Sequence, residues 1–555
     1  MSYLINQIDK EFKKTIKIKN YDKKINYIIS KNDDISRGFF STNFALIYGK
    51  YENKNPVDVA DDIVKHLLEN NKIFSKIEVA KPGFINFWLK EEVISKFLSD
   101  AILKGLDFGK EDNSNYYFNI EIISANPTGW LHIGHARNGI VGDCFIRVLK
   151  HLGYRVKAEY YLNDAGNQIN ICAITIFYHY MKALGKEISP PTEMYGGDMY
   201  VELGGEFAKK YKEKYVNNKI DYEGNKIIDN EVNTFFREEA VRIFLTEIKK
   251  QIAEVGIKIE HYSSEKSMYD SNEIDRVLEL CKSKNLSYEK DGALWLKTTK
   301  MGDDKDRVMI KKDGTYTYIV PDLASHSIRF KRENADIYIN FWGADHHGYI
   351  PRLIAGITLM GYKKGLLEID IIQMVRLIRD NKEVKISKRK GTAVWMKDVI
   401  EEIGIDALRY MLNSKSPSSH LDFDLDLILR KDASNPVYYV QYCVARCNQV
   451  LEKWNNNSSK VNNFSKLVHP KEIDLILHID QFINTLHYAR DQRAPNVLCD
   501  FAYGLAKRFH SYYGEITIIC DDNELAAQRI NLVRLVYNVM SICLNLIGVE
   551  VKNKM

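Results

Sequence analysis

Cysteine and proline are scarce in this chain. Its 555 residues include only 8 cysteines, 11 prolines and 31 glycines. Those counts exclude a collagen-like repeat and a disulfide-stapled scaffold. Cys144, Cys172, Cys281, Cys443, Cys447, Cys499, Cys520 and Cys543 form no CxxC pair. Neither a zinc knuckle nor a thioredoxin-like centre is therefore expected. Cys443 and Cys447 stand four apart in an apolar helical pattern and read as core. The opening MSYLINQIDKEFKK lacks the apolar core of a signal peptide. The most apolar late stretch, 530–547, carries Asn531, Arg534, Asn538 and Asn545, which argue against a bilayer span. No repeat and no low-complexity tract is found. A cytoplasmic protein in a reducing compartment, with no membrane partner, is expected. Charge of one sign is also in short supply. The 79 basic and 74 acidic residues leave +5, which alone predicts no nucleic-acid binding.

What is present is ordinary globular material, 45% hydrophobic, 28% charged and 11% aromatic. That much apolar surface excludes disorder of the whole chain. Residues 1–110 read as a small α/β unit. Val59, Ile63 and Leu67 recur at helical spacing, and IEVAKPGFINFWL alternates like a hairpin around Pro82-Gly83. The polar run Gly109–Ser114 marks a boundary. Next come a strand in YYFNIEIIS, the turn cluster Asn126-Pro127-Thr128-Gly129, a helix from about Leu131 to Leu152, and a strand in RVKAEYYL. This β-turn-α-β order predicts a Rossmann-type parallel sheet in an α/β catalytic domain over 111–425. Residues 186–300 mix Gly-rich turns with charged helices and read as an insertion. ALWLKT, DRVMIKKDGTYTYIV and ADIYINFWG read as strands. The remainder, 426–555, predicts an all-helical domain. Val440, Cys443, Val444, Cys447, Val450, Leu451 and Trp454 form one apolar stripe there, and Gly548 is a plausible helix stop.

The chemistry concentrates in Ser124-Ala125-Asn126-Pro127-Thr128-Gly129-Trp130-Leu131-His132-Ile133-Gly134-His135. It lies between an expected strand and an expected helix, where free N–H groups and the helix dipole favour an anion. His132 and His135 are three apart in the first turn, so both rings can face one side. Gly134 between them clears room for a ligand. A bare HxxH would read as a wet helix start. The strand–turn–helix context makes it a nucleotide site. Lys385-Ile386-Ser387-Lys388-Arg389-Lys390-Gly391 is the second signal. A lysine-rich loop alone is most often a solvated face, but these ammonium groups can neutralise charge on a leaving pyrophosphate.

HIGH followed roughly 250 residues later by KISKR resembles the paired HIGH and KMSKS signature of class I aminoacyl-tRNA synthetases. SANPTGWLHIGHARN, EYYLNDAGNQI, DGTYTYIVPDLASH, WGADHHGYIPRL, GIDALRYML and NPVYYVQY resemble the bacterial arginyl-tRNA synthetase family nearly end to end. The resemblance implies that arginine and ATP form arginyl-adenylate, and that arginine then passes to the 3′-terminal adenosine of tRNA(Arg). Mg²⁺ is expected to accompany ATP. No tightly bound cofactor, no structural zinc and no protein metal site are expected, and the family is often monomeric. A cysteinyl-type enzyme would need Cys and His ligands for a zinc, which are not found. A tRNA-binding paralogue without catalysis would show a broken HIGH or KMSKS element, and both are intact.

By resemblance, His132, His135, Lys385 and Lys388 are catalytic. Ala125, Pro127, Thr128, Gly129, Gly134, Gly343, Asp345 and Ser387 complete the ATP site. Many relatives lack the second lysine and carry a compensating lysine at the position of Gly129. This chain keeps Lys388 with Gly129, a consistent pair. Ser124, Asn126 and His135 are expected at the amino and carboxylate end of arginine, and Tyr318 and Asp322 at its guanidinium. From spacing alone Tyr318 and Asp322 read as a strand tyrosine and a helix-capping aspartate, because Pro321 interrupts a helix. Asn163–Gln168 falls at the carboxyl edge of the sheet, where a turn and a ligand contact fit about equally. Asp345-His346-His347 looks metal-like, but consecutive side chains diverge. Ile350 replaces a glutamine that touches substrate in some relatives. Tyr439 and Tyr442 are anticodon-stacking candidates or half-buried packing residues, and the 1–110 domain is expected to touch the tRNA elbow.

Overall fold

The structure, a computed structural model, describes residues 2–21, 25–384, 394–454, 461 and 463–555. The chain forms two compact units, Met1–Glu111 with Arg430–Met555, and Asp112–Leu429.

In the first unit, the Pro56–Glu69 helix buries Val59, Ile63 and Leu67, as the 3.6-residue spacing requires. Strands Phe74–Ala80 and Phe84–Leu89 form the expected hairpin within a four-stranded antiparallel sheet. Helices Pro436–Lys453, Pro470–Asp480, Phe482–Asp491, Asn496–Glu515 and Asn523–Ile547 make up the C-terminal part. Val440, Cys443, Val444, Cys447 and Val450 are buried along the expected stripe. Gly548 stops the last helix in the left-handed region at φ +80°, its N–H reaching back to Leu544. Asn523–Ile547 is the one helix among the described residues long and apolar enough to cross a membrane, and most of it is buried as core. The two ends of the chain, expected as separate domains, pack together. Leu4 N–H donates to Asp480 Oδ1 at 3.0 Å, Lys31 Nζ meets Asp474 at 2.7 Å, and Phe108 stacks on Phe482. Pairing of this kind is tertiary and leaves no periodicity in the sequence.

The second unit is built on a five-stranded parallel sheet. Its order is Leu367–Ile372, Ile337–Gly343, Tyr117–Glu121, Arg155–Leu162, His261–Ser264. The first two strands in chain order, Tyr117–Glu121 and Arg155–Leu162, are joined by the Ile133–His151 helix, as expected. The 186–300 segment is not wholly an insertion. His261–Ser264 forms an edge strand of this sheet, half-buried and polar, so it shows no apolar alternation to the reader of the sequence. What lies outside the sheet is the helix group Gly166–Ala183, Asp198–Tyr211 and Asn230–Glu254, and a three-stranded antiparallel sheet spanning 287–310. GIDALRYML also sits in this unit and not in the C-terminal helices. Arg409 within it is buried and bonds to Asp143 and to the carbonyl of Val255 on either side.

Two buried guanidiniums set the sheet and its first helix. Arg329, on the Ile319–Glu333 helix, donates to Asn119 Oδ1, Glu121 Oε2 and Asn340 Oδ1, on two adjacent strands. Arg332 binds Glu159 on the next strand. Glu159 is held below the ordinary carboxylate range by these two arginines, despite its burial. Arg137 has no carboxylate among its described partners. It caps four carbonyls instead, of Gln373, Met374, Ser416 and Ser419, at 2.7–3.3 Å. It thereby ties the histidine helix to the loops that lead into strands Val375–Arg379 and Leu421–Asp424. Close packing under the helix needs small residues. A Cβ on Gly139 would come within 2.8 Å of Ile123, and one on Gly142 would strike Ile122.

Removing Arg329 leaves Glu121 buried with its charge unpaired. Arg329→Met is expected to destabilise the fold by about 3–5 kcal/mol in urea unfolding. A loss under 1 kcal/mol would show that the network does not hold the sheet.

Candidate active site

The sheet's carboxyl edge is where the chain changes hand. Ile123 and Ser124 both have positive φ, +69° and +42°. A branched residue there is strained. Local bonds hold it in place. Ile123 N–H donates to Asn138 Oδ1 at 2.7 Å, and Asn138 in turn donates to the carbonyl of Phe341. Ser124 Oγ donates to Glu121 Oε1 and accepts from Tyr161 N–H, both at 3.0 Å. Ser124 is thus used to orient Glu121 and the neighbouring strand. Beyond it the turn is gripped from outside. Tyr160 donates to the Ala125 carbonyl, Tyr200 to that of Thr128, and Leu131 N–H donates to Gln251. Asn126 donates to Gln168. Pro127 is buried, and Gly129 faces Met199 with ordinary room for a Cβ. Tyr200 and Gln251 come from the helix group outside the sheet, and no local pattern singled them out.

His132 caps the helix. Its Nδ1 accepts from Gly134 N–H at 3.1 Å and His135 N–H at 3.3 Å, while His132 N–H points to His135 Nδ1 at 3.4 Å. The rings stack at 3.6 Å. Burial lowers the pKa of His132, with Asp345 pulling the other way. Burial, then the neighbouring His132, brings His135 down to about 3. Both imidazoles are therefore neutral near pH 7. With each Nδ1 accepting, each proton sits on Nε2, and that N–H is the atom left to donate. Gly343 and Asp345 follow the Ile337–Gly343 strand, and the charge of Asp345 is felt at His132. Asp345, His346 and His347 are exposed, and among the described residues no group of three His, Cys, Asp or Glu could hold a metal.

Lys385, Ser387 and Lys388 lie outside the described residues. The residues just after them do not. Ile133 N–H donates to Val394 O at 2.9 Å, and Met396 N–H to Leu131 O at 2.8 Å. His132 and Trp395 form the bridge between, and Trp395 sits edge-on to Trp130 at 6.0 Å.

Asp322 stands in the first turn of the Ile319–Glu333 helix. Pro321 does not interrupt that helix. It occupies the first turn, where no N–H is needed. Burial drives the Asp322 carboxyl up to about 7, helped by Glu121 and Glu265 and opposed by a hydrogen bond from Tyr349. Glu265, just past the edge strand, is raised by burial as well. Neither Asp322 nor Glu265 meets a Lys or Arg among the described residues. Tyr318 departs from expectation. Its side chain is 84% exposed at the helix start, and the tyrosine on Asp322 is Tyr349. Ile350 opens the following helix and adds no polar atom. Glu121, Glu265 and Tyr349 were not singled out in the sequence, for they reach the cleft from three separate elements. Tyr439 and Tyr442, in the other unit, are half-buried in a ring cluster with Tyr438, Tyr503 and His510, and Arg446 lies 4.5 Å from the Tyr442 ring centroid.

Two outcomes follow from the histidine geometry. In ¹⁵N NMR, both imidazoles should carry the proton on Nε2 at about pH 7–8, and His135 should keep it there down to about pH 5. Because the folded pKa of His135 lies far below the unfolded value of 6.5, its contribution to stability is whole above that value and falls as pH drops toward 3. Gly134→Ala would bring a Cβ within 3.1 Å of the His132 ring and turn it. ATP–pyrophosphate exchange should then fall about tenfold or more, on the order of one hydrogen bond, while the melting temperature is little changed.

The pattern for "tRNA synthetases class I (R), catalytic domain" matches residues 98–425. "Arginyl tRNA synthetase N terminal domain" matches 3–89, and "DALR anticodon binding domain" matches 440–555. The chain is 48% identical over 554 residues to an arginine–tRNA ligase of Mesoplasma florum, covering 99% of each. It is 39% identical to that of Bacillus subtilis, covering 96% of this chain and 94% of the other. A solved structure described as a putative arginyl-tRNA synthetase from Campylobacter jejuni superposes with TM-score 0.76 at 34% identity, over 84% of this chain and all of the other. A Thermus thermophilus arginyl-tRNA synthetase shares the fold at TM-score 0.76 and 18% identity, over 99% of this chain and 100% of that one. With its three matched segments, its near full-length relatives and its parallel sheet, the chain belongs to the arginyl-tRNA synthetases, class I enzymes that use ATP to ligate arginine to tRNA.

Proposed function

We propose that the cleft at the sheet's carboxyl edge activates arginine, with Asp322 as the counter-charge of the guanidinium. The observation that carries this reading is the pair Asp322 and Glu265, carboxylates in a desolvated pocket with no cation among the described residues. A guanidinium is always charged and presents a fork of N–H donors. It supplies the missing charge. Asn126, held by Gln168, Ser124 and His135 stand toward the amino and carboxylate end of the substrate. The arginine carboxylate attacks the α-phosphorus of ATP, a bond forms from its oxygen, and pyrophosphate leaves. No protein nucleophile is needed, so the work is positioning and charge stabilisation.

The Nε2–H groups of His132 and His135 donate to phosphate oxygens, beside Ala125, Pro127, Thr128, Gly129 and Gly134. Gly343 and Asp345 take the nucleoside side. Lys385 and Lys388, with Ser387, stabilise the charge that builds on pyrophosphate. Support for their nearness is the pairing of Val394–Met396 with Leu131–Ile133. Mg²⁺ arrives with the nucleotide, its ligands mostly phosphate and water. Tyr318 turns in from solvent when arginine binds. Tyr439 and Tyr442 stack on anticodon bases, and the 1–110 segment meets the elbow of tRNA(Arg). The protein is cytoplasmic and monomeric.

Pyrophosphate exchange tested with each amino acid in turn, with and without tRNA, should respond to arginine alone. Lys388→Ala should slow that step, and an unchanged rate would remove the lysine segment from the mechanism. Asp322→Asn should raise the arginine KM at least about thirtyfold, the ~2 kcal/mol lower end for a buried charged pair. The same change should stabilise the arginine-free protein. Asp322 ionises at about 7 in the fold and at about 3.8 outside it, so stability is lost as pH rises between the two. A lower melting temperature for Asp322→Asn at pH 7 would contradict this.

A further inference from the structure

The carboxylate of Asp322 has one donor that arginine recognition leaves unexplained. Tyr349 closes the turn Ala344–Tyr349, and its hydroxyl donates to Asp322 Oδ2. The same turn begins beside Asp345, whose charge reaches His132. The Tyr349 ring is fixed from two sides, by Trp342 at 6.1 Å and by the Arg352 guanidinium at 5.2 Å from its centroid. Burial, and then Asp322, raises the phenol's pKa, so it stays protonated and remains a donor.

The other groups around Asp322 do not do this work. Glu121, from the first sheet strand, and Glu265, past the edge strand, face it with like charge. Tyr161, on the second strand, has its hydroxyl bonded to Glu265. On the helix of Asp322 itself, His326 Nδ1 donates to its backbone carbonyl at 2.7 Å, as Ser325 Oγ does at 2.9 Å. Arg329, further along, is engaged by Asn119, Glu121 and Asn340. Tyr349 is thus the one described side-chain donor on the Asp322 carboxylate.

We propose that Tyr349 is a positioning residue for arginine: its hydroxyl holds Asp322 Oδ2 in place and leaves the other oxygen for the guanidinium. This rests on Asp322 being the counter-charge. A hydrogen bond to a charged form favours that form, and here it acts against burial and two carboxylates.

The experiment compares wild type, Tyr349→Phe and Asp322→Asn. Arginine binding is measured by calorimetry and the arginine KM by aminoacylation, from pH 6 to pH 9. Tyr349→Phe should raise the KM about fivefold at pH 7 and close to tenfold at pH 6, the effect of about one pKa unit on a carboxyl that ionises at about 7, with a much smaller change in maximal rate. The ratio of variant to wild-type KM should widen toward pH 6 and close toward pH 9, where both carboxylates are ionised. Parallel profiles, with one constant ratio at every pH, would mean that the hydroxyl only shapes the pocket, and would overturn the proposal. If Asp322→Asn binds arginine as wild type does, the counter-charge reading itself is wrong and this inference falls with it. If Asp322→Asn loses binding while the Tyr349→Phe profile is unmoved, only the inference falls.

Discussion

The Arg329 guanidinium is the constraint on which the active unit turns. It sits under the sheet, reaches two adjacent strands, and pairs Glu121 at the point where the chain leaves the first strand. That pairing does two things at once. It fixes the carboxyl edge from which the nucleotide turn springs, and it commits the Arg329 cation to Glu121. Asp322 and Glu265 are left desolvated, with tyrosine hydroxyls as donors but no Lys or Arg among the described residues. An unpaired buried carboxylate is costly for a fold and suited to a cationic substrate. On the proposed role of Asp322, selectivity for arginine would lie in the charge balance of the core beneath the pocket, as well as in the residues lining it.

The nucleotide end works by the opposite logic. There the two imidazoles are neutral. His132 and His135 cap one another and the helix, so their Nδ1 atoms are occupied and their Nε2–H groups are the donors that remain. Neutral donors can bind phosphate oxygens without drawing a compensating carboxylate into the cleft. The permanent charge of Arg137, one turn later, is directed at four loop carbonyls. The cleft therefore has a polar neutral end and an acidic end, joined by the Ala344–Tyr349 turn.

The sequence revealed whatever was local. The turn Ser124–His135, the strands about it and the Val440–Val450 stripe were legible because periodicity, Gly and Pro report on neighbours in the chain. Asp322 came from resemblance, since Pro321 reads as a helix breaker, and the structure shows that proline serving in the first turn. Tyr349, Glu265 and Gln251 were not legible. Each reaches the cleft across at least one other element, and nothing in HYSSE or HHGYI marks a residue that points there. The edge strand His261–Ser264 was missed for a related reason, being short, polar and paired on one side only. Tyr318, carried over by resemblance, is the converse case: its spacing to Asp322 is local, yet its side chain faces solvent.

Ile123 gives the unit a trade-off. Its left-handed backbone holds strain of about 1–3 kcal/mol at the root of the catalytic turn. Glycine would relax that backbone, but it would also empty the space that the buried Ile123 side chain fills against Gly139. The side chain that is strained is thus also the one that wedges the turn against the helix, and screens for heat resistance on this scaffold should score turnover alongside melting.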